Sequence, residues 1–319
     1  MRIVFGTKVA RAPVLKALQG IAGIDLVAVD DLSEVAALVK DADALVISDP
    51  RGADGRAIAA ALREPGCRVR WVQMLTAGAD GLLAHGVPGH VAITNQGGAV
   101  APAVAEHAMT MILAMARRIG AIIERSARHE WNKEFTPPLM SLEGRTLAIV
   151  GYGNIGRELA KRARGFDMKI LGVSRSLAAD PLVDEMHPMS ALHDVLGRAE
   201  VVALCVASVA ATRHVVNAGT FAAMRKGAFF INVTRGETVD QAALKHALDS
   251  GHLAGAFLDV TQPEPLPPDD PLWNAANLII SPHTAGAGGT GTGGRIAAVV
   301  SENVARFRAG QALVHQMKG

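Results

Sequence analysis

A strand that runs into a glycine hexapeptide and then into a helix constrains this chain more than any other feature. Residues Leu147 to Val150 read as a strand, Gly151-Tyr152-Gly153-Asn154-Ile155-Gly156 follows directly, and Arg157 to Arg164 reads as a helix. The first glycine makes a tight turn, the second lets backbone approach a pyrophosphate, and the third lets helix and strand pack closely. The helix N-terminus then supplies N–H donors to the phosphates. A further strand, Lys169–Val173, ends about twenty residues on, so the hexapeptide opens a βαβ unit. This context predicts a dinucleotide site around Gly151, Gly153, Asn154, Ile155 and Gly156.

The rest of the chain carries the same alternation of short β-branched runs and Ala/Leu-rich helical patterns, the mark of parallel sheets covered by helices. Predicted strands are Ile3–Phe5, Leu26–Val29, Ala44–Ser48, Val69–Met74 and Val91–Thr94, then Leu147–Val150, Lys169–Val173, Val201–Cys205, Ala228–Val233, Gly255–Asp259 and Leu278–Ser281. Helical stretches include Arg11–Leu18, Arg56–Arg63 and a long apolar one from Pro102 to Ile119. An exposed arm follows at Arg128–Pro138, and a glycine-rich tract at Gly286–Gly294 leads into a last amphipathic helix ending near Arg308. At about 150 residues per domain, 319 residues make roughly two α/β domains.

Composition narrows the class. A chain 50% hydrophobic and 19% charged is not intrinsically disordered. Two cysteines, Cys67 and Cys205, exclude a disulfide framework and a thiolate metal site, and fit a reduced, cytoplasmic setting. No metal site is expected. A net charge of +2 removes the electrostatic argument for a nucleic-acid partner. No run of about 18 uncharged apolar residues suits a membrane, and Met-Arg-Ile-Val-Phe-Gly opens the chain as a strand rather than a signal peptide.

Cofactor selectivity is written after the second strand of the βαβ unit. Sites that prefer NAD carry an acid there for the ribose 2′-hydroxyl. This chain has Ser174-Arg175-Ser176. A carboxylate would repel a 2′-phosphate, whereas two hydroxyls and a guanidinium can bind one. NADP is therefore expected to be preferred, with NAD possible.

Three segments follow predicted strands and so lie at the carboxyl edge of one sheet, where open α/β sheets bind ligands. They are Asn232-Val233-Thr234-Arg235-Gly236, Leu258-Asp259-Val260 with Glu264-Pro265-Leu266-Pro267, and Ser281-Pro282-His283-Thr284-Ala285-Gly286. Reduction of a 2-oxo acid needs a cation for the carbonyl oxygen and carboxylate, a proton donor, and a group that holds the donor protonated. Arg235, His283 and Glu264 supply one of each.

These motifs resemble those of the D-isomer-specific 2-hydroxyacid dehydrogenases over nearly the whole chain. The resemblance implies that Arg235, Glu264 and His283 are catalytic, and that Asp259 meets the nicotinamide carboxamide. Val233, Thr234 and Gly286 join the cofactor positions, with Ser174, Arg175 and Ser176 at the ribose. It also places Leu75, Ala77, Gly78 and Asn95 near the substrate, alongside Arg235. The implied layout is two parallel-sheet domains, Rossmann-like and flavodoxin-like. A nucleotide domain (99–289) is inserted into a discontinuous substrate domain (1–98 and 290–319). The implied activity is reduction of a small 2-oxo acid such as glyoxylate or hydroxypyruvate by a homodimer assembled through the Pro102–Ile119 helix and the arm. The alternative is a nucleotide-sensing interaction protein on the same scaffold, like the family's corepressors.

Two departures matter. Ser174 replaces the usual acid, and Cys205-Val206-Ala207-Ser208 lacks the proline common after that strand. Glu264 argues against the formate dehydrogenase branch, which pairs the histidine with glutamine. Elsewhere His107 reads as a helix residue, His85, His90 and His252 as surface or loop residues, and Cys205 as a buried strand residue. The spacing of Met109, Met111 and Met115 is core-like. Arg51, just past a strand end, is a candidate for reaching an anionic substrate.

Overall fold

The computed structural model describes residues 1–317; Lys318 and Gly319, at the end of the expected substrate-domain stretch 290–319, lie outside it. The chain divides into two compact units, Met1–Val100 with Gly289–Gly319, and Ala101–Gly288.

The first unit winds β1 (Arg2–Gly6), α1 (Arg11–Gln19), β2 (Asp25–Val29), α2 (Val35–Leu38), β3 (Ala44–Ile47), α3 (Gly52–Arg63), β4 (Trp71–Met74), α4 (Asp80–Leu83) and β5 (Ala92–Thr94) into one sheet. Its order is β2-β1-β3-β4-β5 and every pair is parallel. This is the flavodoxin-like doubly wound order. Strand residues such as Ile3, Val4 and Phe5 are fully buried, which is why these runs are apolar on both faces.

The second unit comprises α5 (Ala101–Ala116), α6 (Ile119–Ala127), β6 (Thr146–Val150), α7 (Asn154–Arg164), β7 (Lys169–Val173), β8 (Glu185–His187), α8 (Leu192–Arg198), β9 (Val201–Leu204), α9 (Ala218–Ala223), β10 (Phe229–Asn232), α10 (Gln241–Asp249), β11 (Gly255–Leu258) and β12 (Leu278–Ile280). Its seven strands, all parallel, run β12-β11-β10-β9-β6-β7-β8. The winding reverses between β6 and β9, so a ligand crevice forms outside the carboxyl ends of those strands. The fold class is the Rossmann-like and flavodoxin-like pair of parallel sheets expected.

Each predicted strand is present within a residue or two of its expected bounds. The short edge strand β8 is missing from the sequence reading, because Glu185-Met186-His187 lacks the β-branched signature and pairs only with β7. The expected helix from Pro102 to Ile119 is α5, which ends at Ala116, and a second helix that the sequence reading did not place, α6, starts at Ile119. Arg118 adopts left-handed backbone (φ 54°), which ends α5, and its guanidinium donates to the Thr136 carbonyl and to Asn277 Oδ1 across the kink. Most of the apolar face of α5 (Val104, Ala105, Ala108, Met109, Ile112, Met115) is core of this unit, not exposed surface. The exposed apolar residues lie instead on α6 and the arm: Ile122, Ile123 and Trp131, the last 92% exposed. The arm folds back on α6 through Arg125, which donates to the Asn132 and Glu134 carbonyls and stacks on Phe135. Among the described residues no helix is long and apolar enough to cross a membrane.

The final helix, α11 (Thr292–Arg308), returns to the first unit and buries Ile296, Val300 and Val304 with Ile3, Phe5, Val14 and Leu18. It also brings one buried amide. Asn303 Nδ2 donates to Gln73 Oε1 (2.9 Å) and to the Val314 carbonyl (3.1 Å), while its Oδ1 accepts the Val314 N–H (2.8 Å). Gln73 Oε1 also accepts from Thr94 Oγ1, which accepts from Trp71 Nε1. Asn303→Ala removes the acceptor of the Val314 N–H and one donor to Gln73, so the unit should lose about 1–3 kcal/mol. Urea denaturation followed by tryptophan fluorescence checks this; an unchanged midpoint would count against the network.

Candidate active site

The glycine hexapeptide has the steric signature of a dinucleotide cradle. Gly151 sits at φ 97°, and a Cβ there would lie 2.5 Å from the backbone of Cys205 and Val206. The β6 turn can thus lie against the end of β9 only with glycine. A Cβ on Gly156 would be 2.6 Å from the Gly151 carbonyl oxygen and 2.9 Å from Ile149 Cγ2, so this glycine sets the approach of α7 to β6. A Cβ on Gly153 meets nothing within 4 Å. Its open side is where a diphosphate can come against backbone. No side chain caps α7, whose first turn carries Asn154, Ile155 and Gly156. These residues fit NAD(P).

At the end of β7, Ser174 donates its N–H to the His187 carbonyl (2.9 Å). Ser174 Oγ accepts from the Ser176 N–H (3.3 Å), and Ser176 Oγ from the Ala178 N–H (3.4 Å). Both hydroxyls act as acceptors in these local turns and keep their own hydrogens to donate. Arg175 between them is exposed. Past β9, where the proline is missing, Ser208 bonds Glu237 instead. Cys205 is buried, which pushes its thiol up to about 12 and leaves it unreactive.

The Arg235 turn is built by its own sequence. Asn232 Oδ1 accepts from the N–H and hydroxyl of Thr234, and its Nδ2 donates to the Arg235 carbonyl (3.1 Å). Val233 and Thr234 are buried in this turn, with the Thr234 hydroxyl spent on Asn232. Arg235 is half-buried and its guanidinium donates to the Thr234 carbonyl (2.8 Å). A Cβ on Gly236 would run into the Thr261 carbonyl, so this glycine lets the turn press against the segment that leads to Glu264. Gln241 on α10 straps that segment, accepting from the Gln262 N–H (2.6 Å) and donating to its carbonyl (2.9 Å).

Glu264 and His283 meet: Oε2 lies 2.9 Å from Nδ1, with side chains 25% and 39% exposed. The other carboxylate oxygen of Glu264 accepts the Thr261 N–H (3.2 Å). Glu264 therefore settles the ring's orientation and leaves Nε2 as the outward nitrogen. His283 itself has left-handed backbone, φ 55°. Asp259, 2% exposed, sustains that conformation. Its Oδ1 accepts from Ser281 Oγ (2.5 Å) and the Thr284 N–H (2.9 Å), its Oδ2 accepts the Ala285 N–H (3.0 Å), and its main-chain carbonyl accepts the His283 N–H (2.8 Å). Gly286 continues the same turn, half-buried. His107 is more than a helix residue: it packs its ring on Phe257 and places Nε2 3.4 Å from Ser281 Oγ, the hydroxyl that also bonds Asp259.

In the first unit, Leu75, expected near the substrate, is 1% exposed and packs in the apolar core with Phe5, Val46 and Val300. Ala77 is exposed and Gly78 half-buried, in a loop braced from the side by Asn95, whose Nδ2 donates to the Ala77 carbonyl (2.9 Å). Asp49, which the sequence did not single out, accepts the N–H groups of Gly81 and Leu82 at 2.9 and 3.0 Å. Burial raises its carboxyl above the ordinary range. A carboxylate directly after strand β3 was the available signal.

A doubly wound sheet with this cradle, and a hydrogen-bonded histidine–glutamate pair and an arginine on turns at its strand ends, has the make-up of a dinucleotide-dependent oxidoreductase. The chain belongs to the D-isomer specific 2-hydroxyacid dehydrogenase family, whose NAD binding domain matches residues 109–285. It is 34% identical over 282 residues to a glyoxylate reductase of Korarchaeum cryptofilum (strain OPF8), covering 86% of this chain and 82% of that protein. A family protein from Aeromonas salmonicida subsp. salmonicida A449 superposes with a TM-score of 0.87 at 29% identity, over 99% of this chain and 98% of that one. An NADPH-dependent glyoxylate/hydroxypyruvate reductase from Sinorhizobium meliloti, in complex with NADP and sulfate, gives 0.82 at 25% identity over 99% and 98%. The protein is an NAD(P)-dependent 2-hydroxyacid dehydrogenase.

Proposed function

We propose that this enzyme is an NADPH-preferring reductase of a small 2-oxo acid, glyoxylate or hydroxypyruvate, with Arg235, Glu264 and His283 as its catalytic residues. The observation that carries the reading is the 2.9 Å His283–Glu264 pair on the sheet edge that also bears Arg235 and the glycine cradle. When bound, NADPH supplies the hydride equivalent. The guanidinium of Arg235 holds the substrate carboxylate and polarises the carbonyl, for which its fork of donors suits it better than a lysine. His283 gives a proton from Nε2 to the carbonyl oxygen, and Glu264, holding Nδ1–H, stabilises the cationic ring before transfer. In the first unit, the loop from Thr76 to Asp80 offers the backbone of Ala77 and Gly78 to the substrate carboxylate, with Asn95 bracing it. Ser174, Arg175 and Ser176 take the 2′-phosphate. Asp259 receives the carboxamide edge of the cofactor while it organises the His283 turn. The unit Ala101–Gly288 is the nucleotide-binding domain, and Met1–Val100 with Gly289–Gly319 is the substrate domain. The cytoplasm suits the two unpaired cysteines. The glyoxylate reductase relative and the intact acid–base pair favour this enzyme over a nucleotide-sensing corepressor-like protein.

His283→Ala should lower kcat for glyoxylate reduction by roughly 10²–10⁴-fold, and a variant keeping a tenth of wild-type turnover removes His283 from this role. For the cofactor, a charged hydrogen bond contributes about 1.5–3 kcal/mol, so one Arg175–phosphate contact gives about a ten- to hundredfold preference for NADPH, less at high salt. Arg175→Ala should erase most of it while activity with NADH holds; wild-type kcat/KM with NADH equal to that with NADPH would sink the assignment. A homodimer should bury Ile122, Ile123 and Trp131, an apolar patch unusual on a free surface. Sedimentation should give twice the 33.2 kDa chain mass, falling to the monomer in Ile123→Glu/Trp131→Glu. A wild-type monomer at micromolar concentration defeats it.

A further inference from the structure

The loop proposed to receive the substrate carboxylate begins where Leu75 donates its N–H to the Ile47 carbonyl (2.8 Å) at the end of β3. Asn95 holds its middle at the Ala77 carbonyl, and Thr76 Oγ1 closes it on the Gly78 carbonyl (2.8 Å). Among the described residues no hydrogen bond engages the N–H of Ala77 or Gly78, so both remain to face a ligand. The far end of the loop is gripped by the Asp49 side chain. Asp49 takes the Gly81 N–H on Oδ2 and the Leu82 N–H on Oδ1, a two-pronged hold across 32 and 33 residues of sequence.

The backbone around Asp49 is cut to fit this grip. A Cβ on Gly81 would lie 2.5 Å from the Pro50 carbonyl oxygen and 2.9 Å from Arg51 Cγ, and a Cβ on Gly55 would lie 2.5 Å from the same oxygen. Two glycines therefore let the starts of α3 and α4 close on the turn that carries Asp49. We infer that Asp49 is a positioning residue for reduction of the 2-oxo acid: it sets the pitch of the Thr76–Asp80 loop so that the Ala77 and Gly78 amides converge on the substrate carboxylate. Asp49 does not touch substrate; it acts through Gly81 and Leu82. The inference rests on the reading of that loop as the carboxylate-binding segment.

The test is steady-state reduction of glyoxylate by the full-length enzyme carrying Asp49→Ala, Asp49→Asn or Ala77→Pro, with NADPH affinity measured by nucleotide fluorescence. Misplacing a binding group by about an ångström costs up to about a hundredfold. Asp49→Ala should therefore raise the KM for glyoxylate about ten- to hundredfold, with kcat within a few-fold of wild type and NADPH affinity unchanged. Asp49→Asn, which keeps one carbonyl acceptor, should fall between, and it is read in the same way if the alanine variant does not fold. An unchanged KM overturns the inference, as does a loss of kcat and NADPH affinity in parallel with KM, which marks a merely structural role. Ala77→Pro deletes an amide donor of the loop and tests the underlying reading separately. If it leaves KM unchanged, the loop does not bind the carboxylate; if it raises KM while Asp49→Ala does not, the loop reading stands and the role of Asp49 falls.

Discussion

The carboxylate of Asp259 is a charge with almost no access to water, and the strand-end turns of the second sheet are arranged around it. It is 2% exposed and gathers the Ser281 hydroxyl and the N–H groups of Thr284 and Ala285. A buried charge is tolerated only when it is well hydrogen-bonded, and these donors all come from the turn that carries His283. The same bonds that satisfy the charge therefore hold His283 in left-handed backbone, a conformation an L-residue does not readily take unaided. From that position the ring meets Glu264.

Glycines determine how closely the strand ends of this sheet converge. Gly151 lets the β6 turn lie against the end of β9, and Gly236 lets the Arg235 turn press on Thr261. Any side chain at either place would collide with backbone, which cannot move aside as a flexible side chain can. The proposed catalytic residues are brought together by the absence of atoms at these positions as much as by attraction between those present.

The first unit solves a different problem. Its last helix comes from the end of the chain, and apolar burial alone would leave its register on the sheet loosely specified. Asn303 supplies the specificity, since its amide finds its partners, Gln73 and Val314, in one placement. Gln73 in turn donates to the Asn95 carbonyl, so the helix register is linked to the residue that braces the Ala77 loop.

Both parallel sheets, the glycine cradle and the candidacy of Arg235, Glu264 and His283 are legible in the linear chain. Strand periodicity, glycine spacing and strand-end chemistry are local, so they survive without any knowledge of packing. The end of α5, the edge strand β8, the burial of Leu75 and the grip of Asp49 on Gly81 and Leu82 emerge only once the chain is folded. Arg118 ends a helix where distant groups, the Thr136 carbonyl and the Asn277 amide, hold its kink. Leu75 is core because α11 arrives from the far end of the chain to pack in the same cluster. Asp49 is separated from its partners by 32 and 33 residues, and no spacing rule reaches that far. Contacts of that range depend on how the sheet twists and which helices cover it, and the chain encodes them only through the whole of its packing.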